Sequence, residues 1–174
     1  CVICSSRKSA EGNGALYNKN GTVKNSSIHD NLTSAKTPGV YQTGASATLA
    51  GCTIYNNFFA IPGNTGYYGA GVYMDANAGL VSNCVITNNQ GHFPSGTSAG
   101  GGGVYISGTG CTVENCLIAN NRCGQGVGGG VHCRHVNSII RNCTIVDNYG
   151  YYNGGVGSNN DDSMSTMIDC IVWG

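Results

Sequence analysis

Charge is scarce in this chain. Of its 174 residues only 9% are Asp, Glu, Lys or Arg, and eight basic residues balance eight acidic ones. So neutral a surface has no field to steer nucleic acid or an anionic membrane, and neither is expected as a partner. Long apolar runs are missing too. Nothing approaches the roughly 20 residues that a membrane-spanning helix needs. No apolar leader is visible and the chain opens on Cys1 rather than Met, so a processed or excised segment is expected.

What remains is 29 glycines, ten cysteines and polarity carried by Asn, Ser, Thr and Tyr. One phrase returns along the whole chain. It reads Asn83-Cys84-Val85-Ile86-Thr87-Asn88-Asn89, then Asn115-Cys116-Leu117-Ile118-Ala119-Asn120-Asn121, then Asn142-Cys143-Thr144-Ile145-Val146-Asp147-Asn148. Weaker copies start at Asn25 and Gly51, and cut-off copies stand at both ends. The cysteine position falls at 1, 26, 52, 84, 116, 143 and 170, a spacing of 25 to 32 residues. A period of that size marks a solenoid, in which each repeat packs only on its neighbours.

Aligned on this position, two apolar columns appear. Val23, Leu49, Val81, Val113, Ile140 and Met167 precede it by three; Ile3, Ile28, Ile54, Ile86, Ile118, Ile145 and Val172 follow it by two. A third element, glycine before an aliphatic residue, recurs as Gly39-Val40, Gly71-Val72, Gly103-Val104, Gly130-Val131 and Gly155-Val156. Each repeat therefore carries three short β-branched segments punctuated by Gly or Asn. The fold predicted is all-β: a parallel β-helix of six to seven rungs, three strands per rung, one domain over 1–174. Asn before the cysteine position (Asn25, Asn83, Asn115, Asn142) and five after it (Asn31, Asn57, Asn89, Asn121, Asn148) suits left-handed corners and amide ladders.

The repeats Gly101-Gly102-Gly103-Val104 and Ile86-Thr87-Asn88-Asn89 resemble the Gly-Gly-Ala-Ile and Phe-x-x-Asn phrases of polymorphic outer membrane protein repeats, with Ile here in place of Phe. Essentially the whole chain is similar to right-handed parallel β-helix proteins of the exported bacterial type. The resemblance implies right-handed coiling, which the general crossover rule also favours. It further implies surface display and adhesion, hence an extracellular or cell-surface location.

Six cysteines share one repeat position and are expected as a ladder of buried free thiols. Cys4, Cys111, Cys123 and Cys133 lie off it and are the better disulfide candidates, with pairing left open. The column Tyr17, Tyr41, Tyr73, Tyr105 and His132 follows the glycine-led aliphatic residue, and alternation turns it outward. It reads either as an aromatic ladder packed on itself or as a stripe for a glycan or protein ligand. Lengthened connections at 58–70 and 90–101, on consecutive repeats, would form one lobe carrying Phe58, Phe59, Tyr67, Tyr68, His92 and Phe93. Such a lobe suits recognition, or equally the covering of an apolar flank.

Catalytic chemistry is not expected. Asp30 and Asp147 share a column four turns apart, Asp161 and Asp162 lack a partner one turn earlier, and no acid–base pair assembles. Glu114 and Arg141 stand on successive turns and read as a surface ion pair. His132-Cys133-Arg134-His135 lacks ligands from adjacent turns, and Asn159-Asn160-Asp161-Asp162 lacks calcium-loop spacing, so neither metal nor cofactor is expected. The reading is a non-catalytic, adhesin-like scaffold; the alternatives are a carbohydrate-binding module or polysaccharide lyase or hydrolase, and an end-to-end stacked filament subunit. Since both ends fall inside the same strand type, a slice of a longer rod is expected, with end-to-end self-association as the other option.

Overall fold

The computed structural model describes residues 1–8, 14–33, 37–59, 68–75, 77, 79–91, 100–124, 126–135, 137–158 and 165–174. Among these no helix occurs, and the strands form four parallel sheets of seven, six, six and six strands. Every named strand pairs with its copy one repeat away, so the chain coils and each turn lies on the last at about 4.8 Å.

Three of the sheets are those the sequence predicts. The first holds the glycine-led strands, Leu16–Lys19, Val40–Thr43, Val72–Met74, Val104–Ile106, Val131–Cys133 and Val156–Ser158. The second runs from Thr22–Lys24 to Thr166–Ile168, and the third, seven strands deep, from Val2–Cys4 to Ile171–Trp173. Registers are unbroken: Ile86 pairs with Ile54 and Ile118, Val81 with Leu49 and Val113, and Val104 with Val72 and Val131.

The fourth sheet is a departure from the three strands per rung expected. Two-residue strands, Arg7–Lys8, Leu32–Thr33, Phe58–Phe59, Gln90–Gly91, Arg122–Cys123 and Tyr149–Gly150, follow the asparagine ladder on each turn. Their pairing comes from stacked turns rather than from side-chain type, because Leu32, Phe58, Gln90, Arg122 and Tyr149 have little in common.

Inside the coil the three apolar files meet. Ile28, Ile54, Ile86, Ile118 and Ile145 are all fully buried, as are Leu49, Val81 and Val113. Each such side chain contributes roughly 1.5–3 kcal/mol by leaving water. The thiols Cys52, Cys84, Cys116 and Cys143 line the same core. No disulfide joins any of the ten cysteines, so the off-ladder candidates Cys4, Cys111, Cys123 and Cys133 are not cross-linked. Cys111 and Cys133 belong to the main core, and Cys123 to a small cluster with Phe59 and Ala70.

Asparagine does two separate jobs. Asn25, Asn83, Asn115 and Asn142 sit at φ 47 to 52°, the left-handed corner that Asn tolerates better than most residues. Asn56, Asn88 and Asn120, with Asp30 and Asp147, make a second such corner at φ 51 to 55°. The residue after that corner points inward and bonds. Nδ2 of Asn31, Asn57, Asn89 and Asn121 donates to Oδ1 of the next member up, at 2.9, 2.8, 3.0 and 3.0 Å. The second proton of Asn89 goes to the Ile54 carbonyl at 3.0 Å, and its Oδ1 also accepts the Asn57 backbone N–H at 3.1 Å. Every hydrogen-bonding site of the buried amide is thus used, which is what makes its burial tolerable.

Candidate functional site

The outward face of the first sheet concentrates the chemistry. Tyr41, Tyr73, Tyr105 and His132 occupy paired positions on successive turns. Ring centroids run 5.5 Å from Tyr17 to Tyr41, 4.9 Å to Tyr73, 5.4 Å to Tyr105 and 4.9 Å to His132, the last three contacts edge-to-face. This is the aromatic ladder. It is not an open stripe. Tyr17 is 48% exposed, but Tyr41 and Tyr73 are 6% exposed, and Tyr105 and His132 are wholly buried.

The cover is the chain's own connection into each glycine-led strand. Gly69, Gly101 and Gly128 take φ of 60, 74 and 68° and lay the backbone across the rings; a Cβ on Gly101 would come within 2.8 Å of the Tyr105 Cα. Tyr68 adds a ring over the file, 5.3 Å from Tyr73 and 4.6 Å from Tyr105. Alternation correctly turned these side chains away from the core, and it carries no information about what crosses over them.

Beside the rings runs a polar file, two residues further along each strand. Asp75, Ser107 and Arg134 follow one another there, their backbone N–H groups donating to the carbonyls of Gln42, Met74 and Ile106. The exposed carboxylate of Asp75 accepts the Tyr41 hydroxyl on one oxygen and the Tyr73 hydroxyl, at 3.0 Å, on the other. Burial, with the carboxylate beside them, pushes both phenols far above their ordinary value. Burial likewise raises Tyr105 to about 12. The guanidinium of Arg134 is held up by the hydroxyls of Tyr105 and Tyr68 next to it. Sequence reasoning counted Asp75 and Arg134 without placing them here; the signal was their shared offset of two from Tyr73 and His132.

The described part of the expected lobe is packed rather than free. Phe58 is half-buried in the fourth sheet, Phe59 sits at 8% exposure against Ala70 and Cys123, and Tyr68 roofs the tyrosines. Tyr67, His92 and Phe93 lie outside the described residues, as do Glu11 and Asn159-Asn160-Asp161-Asp162. Besides Tyr17, accessible tyrosine surface lies at positions the sequence reading did not single out. Tyr149, Tyr151 and Tyr152 are 51, 63 and 65% exposed, with the Arg122 guanidinium 4.7 Å from the Tyr149 ring centre. The cue was aromatic density: three tyrosines within four residues.

Carboxylates stay apart. Glu114 accepts Arg141 Nε at 2.8 Å and Nη2 at 2.6 Å, the cross-turn ion pair anticipated. Asp30 pairs with His29 at 2.7 Å, which holds its carboxyl below the usual range. In register, no described carboxylate faces another on an adjacent turn. Among the described residues no group of three or more His, Cys, Asp or Glu is placed to hold a metal ion, and no helix is long and apolar enough to cross a membrane.

The family model for the right-handed β-helix region matches residues 4–174, and the chain belongs to that family. Comparison with curated proteins and with solved structures gives no significant match.

Proposed function

We propose that the chain is a non-catalytic β-helical scaffold of the extracellular or cell-surface kind, contributing rigid length and an adhesive surface, as polymorphic outer membrane protein repeats do. The observation that carries this reading is where the polar chemistry goes. Asp75 is tied to Tyr41 and Tyr73, Glu114 to Arg141 and Asp30 to His29, so these three carboxylates are spent on holding neighbouring side chains. A glycosidase or lyase on this fold needs two groups facing one substrate across roughly 5–10 Å.

A second reading, glycan binding without turnover, draws on the exposed Tyr149, Tyr151 and Tyr152 beside Arg122. Tyrosine faces combine apolar area with a polar edge, which suits a sugar ring. Both readings meet one test. The chain is incubated with neutral and uronate polysaccharides, and new reducing ends, unsaturated products and co-sedimentation are followed. The scaffold reading expects no turnover. Turnover abolished by Asp75→Asn overturns it, and co-sedimentation lost in Tyr151→Ala/Tyr152→Ala selects the glycan-binding form.

A further inference from the structure

His132 is where the aromatic file departs from tyrosine. Its ring is wholly buried, edge-on to Tyr105, and neither Nδ1 nor Nε2 has a hydrogen-bond partner. The roof above it is backbone. A Cβ built on Gly100 would lie 1.9 Å from Nδ1, and one on Gly128 3.0 Å from the His132 Cβ. The roof segments are tied to each other: Gly101 N–H donates to the Val127 and Gly128 carbonyls at 3.0 Å, and Gly129 N–H to Asn153 at 2.8 Å.

Among the described residues no acidic side chain beside the ring would welcome a proton. Arg134 faces it from its own strand and Tyr105 from the next turn; Gly157 stands on the other side without a side chain. The roof at 100–101 and 127–128 brings only glycine and valine, and no described carboxylate faces the imidazole. A neutral ring with two idle nitrogens is tolerated there at a cost; a buried, unpaired imidazolium costs far more.

We propose that His132 is a proton-operated latch: its protonation releases the glycine roof at 100–101 and 127–128 and bares the Tyr105 end of the aromatic file. Burial first, and the Arg134 charge second, lower the closed-state imidazole from 6.5 to about 4. With the roof open the ring returns to its ordinary value near 6.5. The closed form is therefore favoured in full above pH 6.5 and loses ground as pH falls from 6.5 toward 4. Linkage gives an open population about 30-fold larger at pH 5 than at pH 8. The other described histidines are differently placed: His29 pairs with Asp30, and His135 is exposed.

The experiment is residue-resolved amide exchange at pH 8 and pH 5, corrected for the intrinsic pH dependence of exchange. Protection of the Gly101, Gly102 and Gly129 amides falls about 30-fold at pH 5 while that of Asn89 and Asn121 holds. His132→Phe places an untitratable ring in the same slot and removes the response; His132→Tyr, which continues the file, is the second variant should the first not fold. Unchanged roof protection at pH 5, an equal fall in either variant, or simultaneous loss at Asn89 and Asn121 overturns the latch.

Discussion

Position 26 explains the cysteine file. Serine stands there where neighbouring turns carry cysteine, and its hydroxyl donates to the Lys24 carbonyl two residues back at 2.8 Å. The thiols of Cys84, Cys116, Cys143 and Cys170 reach the carbonyl two residues before each, at 3.1 to 3.2 Å. The side chain at this position must be small and must close one hydrogen bond beside the left-handed corner. Cys116→Ser is therefore expected to fold, with a loss of about 1 kcal/mol read from the urea midpoint. A loss above about 3 kcal/mol would mean that packing around sulfur, and not the bond, sets the preference. At this scale the sequence was informative because identical residues recur. The buried thiol, the corner asparagine and the ladder asparagine all follow from repetition. The burial of Tyr105 does not, since it depends on Gly101 crossing above it, and the recurrence of Gly69, Gly101 and Gly128 three residues before each valine carries no information about what they cross.

Among the elements, the sheets held by repeated side chains were legible and the fourth was not. A strand of two residues cannot display the alternation by which strands are recognised, and Gln90 paired with Phe58 and Arg122 shares no chemistry with either. The candidate site suffered similarly. Asp75 and Arg134 belong to one file only once the offset within each strand is known, and the polar residues there change on every turn. The Glu114–Arg141 pair was readable because both residues flank the same cysteine column. It is half open to solvent on the arginine side, so its contribution is small. Glu114→Gln should lower stability by less than about 1 kcal/mol, a difference that fades in 1 M salt. Denaturant titrations at low and high salt check this; a larger, salt-independent loss would point to a packing role instead.

For the molecule as a whole, cohesion runs along the axis. Interior turns are sealed, with Ile54, Ile86, Ile118 and Ile145 at zero exposure, whereas the last turn leaves Met167, Ile171 and Trp173 at 51, 63 and 75%. Each turn buries its face only against the turns stacked on it, which is how solenoids distribute their stability. The amide ladder is the most specific sign of this stacking, because no other arrangement of the chain brings Asn31, Asn57, Asn89, Asn121 and Asn148 into one bonded file. Side-chain amide exchange, followed by nuclear magnetic resonance after transfer to heavy water, tests it directly. Stacked turns predict long-lived Nδ2 protons on Asn57, Asn89 and Asn121, with cross-peaks linking each to the next, while the amide of exposed Asn120 vanishes quickly. Rapid and uniform loss of all these signals from the folded protein would contradict the coil.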